Sequence, residues 1–365
     1  MTNTDKVRNS SVEILRIVAM FFIIMSHYCV HNGLDRNGIS FGFNKALLSW
    51  GTLGNLGVII FVMITGFFMC RSKLKLQSVF RTAFATWFYS VVFFAVAMLA
   101  GDEPFSVKAV LKAFFPVSTS QYWFVSAYFA LLLFVPFINK LISVLTRRHF
   151  FALNCIMVIM WSVLPTFTDK AFYSNELTSF VMYYMLGAYI SLYPDSFFAK
   201  KSRCAVITVG SFVSVILWSA AVNFGGNAVH LFVRELNWYS RSSLFMIAAA
   251  LSLLALFLKL RISSRFINTL ASCTFGVYLI HENSYVRPFL WQTLFRVENF
   301  KNSPWLLLHM VGSVAAVFLL CSAVEYLRKK LVEKPVMKLY SKAEASLTDS
   351  RLYADICTYI NKKLG

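Results

Sequence analysis

The sequence predicts an all-α, polytopic membrane protein with about ten transmembrane helices and no large soluble domain. Three observations predict it. Of 365 residues, 58% are hydrophobic and only 14% charged, against about 25% charge in a typical soluble domain. Apolar stretches of the length that crosses a bilayer as a helix, about twenty residues, recur along the chain. Strand-type alternation is absent, which argues against a transmembrane barrel.

The spans follow in order, each bounded by polar or charged residues. The first, Val12–Val30, follows a stretch with Lys6 and Arg8, and the second, Thr52–Cys70, ends on Arg71-Ser-Lys73. Ala83–Ala100 stops at Gly101-Asp102, and Tyr122–Leu145 stops before Arg147-Arg148. Phe150–Thr168 and Leu177–Tyr193 flank a short polar connector, and Cys204–Phe224 opens after Lys200, Lys201 and Arg203. Ser242–Leu260 runs up to Arg261, Phe266–His281 ends on a histidine, and Trp305–Tyr326 precedes Arg328-Lys-Lys330. The chain therefore divides into an amino-terminal stretch 1–11, a membrane domain 12–338 and a polar tail 339–365, in which Lys342–Gly365 reads equally as an amphipathic helix on an anionic leaflet or as a frayed end.

Lysine and arginine choose the orientation. Loops of the parity that includes both termini carry nineteen, the opposite loops ten. The positive-inside rule then puts both ends in the cytoplasm. The net charge of +19 reads as this bias plus contact with anionic lipid rather than as nucleic-acid binding. Seven cysteines include no CxxC pair and read as small core residues, not as a disulfide frame or a zinc site. The first apolar segment lacks a small-residue cleavage site and holds Arg16, so it reads as a retained span.

Arg16 and His27 lie eleven residues apart in that span. Eleven steps make about three turns, so both share one helix face, ~16 Å apart along the axis. A cation and an imidazole inside a membrane helix are expensive, and functional by default. Glu13 is an i,i+3 neighbour able to pair with Arg16. The other polar groups sort by depth: Glu325 with Glu13 and Arg16 toward the cytoplasmic side, and His27, His31, His281, Glu282 and His309 toward the outer side. One group can hold a charged donor and the other can move protons, since histidine titrates near neutral pH. For His31, His230 and His309 taken singly, wetting by lipid headgroups explains as much, and His149 reads as a loop residue.

Five segments resemble the acyltransferase-3 family, whose members O-acetylate bacterial surface polysaccharides. They are Ser11-Val-Glu-Ile-Leu-Arg16 with Met25-Ser-His27; Phe61-Val-Met-Ile-Thr-Gly66-Phe; Gln121-Tyr-Trp-Phe-Val125 with Tyr128; Gly276-Val-Tyr-Leu-Ile-His281; and Glu333-Lys-Pro335. Thr65 stands where the family usually has serine, which keeps the hydroxyl, and the hydrolase-like extracytoplasmic domain of some members is lacking. The likeness spans most of 9–338.

The resemblance implies a bacterial inner-membrane enzyme that takes acetyl-CoA from the cytoplasm and acylates a hydroxyl of a cell-surface or exported glycan, without a metal. It makes His27 the catalytic histidine and Arg16 its partner toward the donor. A thioester is already activated, so the enzyme has mainly to position it and deprotonate an alcohol. Developing oxyanion charge needs a donor, for which Tyr122, Trp123, Thr65 and a bound water all qualify; an acyl-histidine intermediate is the covalent variant. For donor binding the expected residues are Arg16, Thr65, Arg71, Lys73 and Trp123, and for the acceptor His31, Tyr122, His281 and Glu282. Lys75, Arg81, Arg147 and Arg148 are further basic candidates for the coenzyme phosphates. The rival reading is a glycan transporter or flippase with a histidine proton relay. No inverted repeat and no pair of broken helices favours it. A structural subunit of a glycan-synthesis complex is the third reading, and it leaves the Arg16–His27 spacing as coincidence.

Overall fold

A computed structural model describes residues 10–34, 38–168, 174–224 and 240–348. Among them every regular element is helical. His230 and the tail beyond 348 lie outside the described residues.

The helices in chain order are α1 Ser11–Val30, α2 Gly42–Ser49, α3 Gly54–Met69, α4 Leu76–Ala100, α5 Val107–Phe114, α6 Trp123–Val144, α7 Arg147–Val158, α8 Leu164–Thr168, α9 Glu176–Leu192, α10 Lys201–Phe224, α11 Leu244–Phe257, α12 Arg265–His281, α13 Leu306–Arg328 and α14 Lys334–Thr348. Short turns fuse some into longer runs. A 3-10 turn joins α2 to α3, a π turn at Ile159–Val163 joins α7 to α8, and another at Lys329–Glu333 joins α13 to α14.

Seven of these runs are long and apolar enough to cross a membrane, beginning with Ser11–Val30 and ending with Leu306–Ser346. The remaining three expected spans are shorter: α9 and α12 have 17 residues each and α11 has 14. Their burial explains this. Ten residues of α9 and nine of α12 are buried, so protein rather than lipid surrounds much of their backbone, and a full bilayer length is not demanded of them. By contrast α10 turns Val206, Val209, Val213, Ile216 and Leu217 outward, and α6 does the same with Leu133, Phe134 and Phe137. These exposed apolar faces are the lipid contact of a membrane protein.

The core is organised around α1, which packs against α3, α11, α12 and α13. Its amino-terminal end is tied down where Ser10 N–H donates to Ile262 O at 2.7 Å and Ser11 Oγ donates to Leu260 O at 2.8 Å. The most extensively packed helix pair is α3 with α9. A Cβ on Gly66 would sit 2.0 Å from Tyr184 O, and one on Gly187 would sit 2.0 Å from Met63 O. Two glycines thus face opposite backbones and permit the contact, the small-residue logic of membrane helix pairs.

Between His281 and α13 the chain forms a compact cap of short helical turns instead of an open loop. Trp291 is its anchor: fully buried, it meets Tyr28 edge-on with ring centroids 5.6 Å apart.

Candidate active site

Two polar clusters sit at opposite ends of the α1 stripe Arg16, Met20, Ile23, His27. Positions spaced four, three and four residues apart share one helix face.

The first surrounds a cavity of about 390 Å³ lined by Arg16, Met20 and Ile23 from α1, Thr65 from α3, Arg81 from α4, Tyr128 from α6, Tyr278 from α12 and Arg328 from α13. Arg16 Nη1 lies 3.2 Å from Glu13 Oε2, the expected i,i+3 pair, and its guanidinium lies 5.8 Å from the Phe68 ring centroid. Thr65 Oγ1 donates to Phe61 O at 3.0 Å, a bond within its own helix, and stands 3.4 Å from the Tyr128 hydroxyl.

A buried ion network forms one wall. Arg328 Nε donates to Glu325 Oε2 at 2.7 Å and its Nη2 donates to Glu325 Oε1 at 2.8 Å and to Glu333 Oε2 at 2.5 Å. Tyr89 OH donates to Glu325 Oε2 at 2.8 Å, and Arg81 Nε lies 3.4 Å from Glu333 Oε1. Gly276 makes room for this: a Cβ there would meet Glu325 Cδ at 2.2 Å. Removing one member of a buried, hydrogen-bonded ion group strands the others without water. Glu325→Leu is therefore expected to lower stability by about 3 kcal/mol, read as a lower midpoint for heat-induced loss of monodisperse protein in detergent. An unchanged midpoint would show the network to be dispensable.

The second cluster gathers residues 254 positions apart. His27 Nδ1 and His281 Nε2 are 2.9 Å apart, and His281 Nδ1 is 2.6 Å from Val277 O. The tautomers follow from the partners. A carbonyl only accepts, so His281 Nδ1 carries a proton; the neutral ring then accepts at Nε2, and His27 donates from Nδ1. In a neutral His27 this leaves Nε2 as the basic nitrogen, the state a general base needs.

Glu282 completes the cluster. Its Oε2 lies 3.1 Å from His27 Nδ1 and 3.5 Å from His31 Nε2, and Arg287 Nη1 binds its Oε1 at 3.1 Å. Asn283 Nδ2 donates to the Tyr122 hydroxyl at 2.7 Å, which in turn donates to Leu279 O at 3.2 Å. Arg287 and Asn283 are site-adjacent residues that the sequence reading did not single out. The available signal was the run Glu282-Asn-Ser-Tyr-Val-Arg287, with three polar or charged groups directly after a histidine-ended span.

Of the residues expected from sequence, His27, His31, His281 and Glu282 meet in this second cluster, with Tyr122 linked through Asn283. Arg16 and Thr65 line the cavity. Arg71, Lys73 and Trp123 are not among its lining residues: Arg71 donates to Ser191 O, Lys73 is exposed, and Trp123 lies under the Arg241 guanidinium, 4.1 Å from ring centroid to Cζ. Of the further basic candidates Arg81 lines the cavity, whereas Arg147 pairs with Asp195 at 2.8 Å. His309 accepts or donates to the Tyr28 hydroxyl at 2.8 Å and stacks on Phe300 with centroids 3.8 Å apart, so packing accounts for it. His149 sits in the first turn of α7, where its backbone N–H is capped by Thr146 Oγ1.

A helical membrane protein with a partly exposed imidazole at one end of a central helix, and a guanidinium-lined cavity at the other, has the parts of a membrane group-transfer enzyme. The chain belongs to the acyltransferase-3 family: the family model described as "Acyltransferase domain" matches residues 9–324, and this makes it a membrane acyltransferase. No curated protein and no solved structure matches the chain.

Proposed function

We propose that this acyltransferase moves an acetyl group from cytoplasmic acetyl-CoA to a hydroxyl of a cell-surface or exported glycan. On this reading it lies in a bacterial inner membrane with both termini in the cytoplasm. The observation that carries the proposal is the single stripe on α1 that joins the Arg16 cavity to the His27 cluster. The basic groups of the cavity suit the negative phosphates of coenzyme A. Ile23 and Tyr278, which line the cavity, stand four and three residues before His27 and His281. A thioester held along this stripe would thus end about one helical turn from the imidazoles.

In this mechanism His27 Nε2 takes the proton of the acceptor hydroxyl as its oxygen attacks the thioester carbonyl. The C–S bond breaks, and the same proton leaves to the coenzyme A thiolate. His281 holds the His27 ring by accepting its Nδ1 proton, and the Glu282 carboxylate stabilises the imidazolium formed on the way. Arg16 keeps its planar fork near the donor end.

The direct test is transfer of label from radiolabelled acetyl-CoA by purified protein, paired with mass spectrometry of surface glycans with and without the gene. A mass change of one acetyl group per modified unit supports the reading. Movement of an unmodified glycan by proteoliposomes, with no labelled product, would establish the transporter reading in its place. Arg16→Lys is expected to lower kcat/KM for acetyl-CoA about 10–100-fold, because a point charge replaces one or two oriented, charge-assisted hydrogen bonds. Wild-type kinetics in that variant would remove Arg16 from the site.

A further inference from the structure

We infer that the His27 cluster is also a binding site for a single borderline divalent transition-metal ion, Zn²⁺ being the fitting case, and that the bound ion blocks the base. His27 and His31 are i,i+4 neighbours at the end of α1, so their rings overhang one face. Glu282 reaches the same point from the end of α12. One donor atom from each lies within 4.8 Å of the other two. Zinc–ligand bonds of about 2.0–2.1 Å in tetrahedral geometry set donor atoms ~3.3 Å apart. The two gaps from the carboxylate bracket that value, 3.1 Å from Glu282 Oε2 to His27 Nδ1 and 3.5 Å to His31 Nε2, and the two imidazole nitrogens lie within 4.8 Å of each other, so the rings close in on the ion by a side-chain rotation.

A second observation points to a ligand independently of the spacing. Glu282 is 8% exposed, yet its Oε2 accepts no hydrogen bond of good geometry from the described residues. A buried carboxylate oxygen in that state wants a cation or a proton donor. Arg287 does not supply one there: its Nη1 binds Oε1 at 3.1 Å and stands 3.4 Å from His31 Nε2, a contact that a bound ion would replace. That division is the usual one for a metal-binding carboxylate, one oxygen on the ion and the other held by an outer hydrogen bond. Two imidazoles and a carboxylate suit a borderline ion and not a hard one, which prefers oxygen.

Binding changes the chemistry of His27 by moving one proton. The ion takes the Nδ1 lone pair, and the Nδ1 proton passes to Nε2 or to solvent. In a neutral, metal-bound ring the proton sits on Nε2. No lone pair is then left there for an incoming hydroxyl proton, and the hydrogen bond to His281 is lost. No electron is transferred. The blocking step rests on the acyltransfer reading above, whereas the binding site does not.

The test is a titration of untagged, chelator-stripped protein with Zn²⁺ in competition with a chromophoric chelator, and a parallel Co²⁺ titration followed by visible absorption. One equivalent is expected to bind, with an intense four-coordinate cobalt band. His31→Gln and Glu282→Gln are each expected to weaken binding at least 10-fold, the lower bound for damage to a metal shell, while His149→Gln keeps wild-type affinity. Size-exclusion profiles report whether the variants are folded, and the wild-type cobalt spectrum stands apart from them. Binding of less than one equivalent, or equal affinity in the wild type and both cluster variants, overturns the site. Stoichiometric zinc that leaves acetyl transfer unchanged overturns the blocking step alone; transfer abolished by zinc and restored by chelator supports it.

Discussion

His27→Ala should leave a folded protein whose acyl transfer, assayed with the proposed donor acetyl-CoA, has kcat reduced about 10²–10⁴-fold, the range general-base catalysis contributes. The prediction rests on the tautomer argument: Val277 O fixes His281, and His281 fixes which His27 nitrogen is free. The variant frees His281 Nε2, but that nitrogen belongs to α12 and lies on the far side of the lost ring from His27 Nε2, and His31 stands one turn further along the chain, so neither imidazole takes the place of the base. Because Arg16 and the cavity are a separate cluster, the KM for acetyl-CoA should change little. The measurement is steady-state transfer of labelled acetyl groups, with a thermal melt on the same sample. Full activity in a well-folded His27→Ala protein would remove the base and with it the mechanism; a large rise in KM with kcat intact would make His27 a donor-binding residue.

The largest structural effect is expected at Gly66. The alanine methyl would sit 2.0 Å from Tyr184 O, a backbone atom that no rotamer change can move. Alanine gains about 1 kcal/mol of helix propensity over glycine, so a loose contact would make Gly66→Ala stabilising. Here α3 and α9 must separate instead, which overpacking data put at about 1–3 kcal/mol, occasionally more. Since Gly187 makes the reciprocal contact with Met63 O, the Gly66→Ala/Gly187→Ala pair should be non-additive: once the first methyl has spread the helices, the second meets less resistance. Heating in detergent, followed by the fraction remaining monodisperse, reads both effects. A melting midpoint at or above wild type in either single variant would show that the two backbones are not in contact.

The Arg16–His27 relation was legible in the sequence because both residues ride one helix, where spacing alone fixes the face. The Glu13–Arg16 pair was legible for the same reason. The His27–His281 contact was not, since nothing local couples positions 254 residues apart; the resemblance placed both residues in motifs without saying that they touch. Arg328 shows a different limit. Counting it with the loop lysines served the orientation argument, but it is 4% exposed and tied to two carboxylates. Charge counting treats every arginine as solvated, and burial is a tertiary property. The ends of α6, α9 and α12 fall within one residue of the expected bounds, whereas α4 begins seven residues before the expected Ala83 because its first turns carry Gln77 and Arg81 and are helical without being apolar. The buried α9, α11 and α12 are shorter than a bilayer crossing demands.

The wide turn at Lys329–Glu333 holds one residue more than α-helical winding would place there. Each added residue rotates everything downstream by about 100°. The azimuth of α14 is thus set at this point, and with it the stacking of Tyr340 on Phe80, ring centroids 4.5 Å apart. A loss of a single codon within this stretch would heal the winding, carry Glu333 away from Arg328 and swing Tyr340 off its platform. The turn acts as a phase key between the membrane bundle and its trailing helix, and chain length there is constrained more tightly than residue identity.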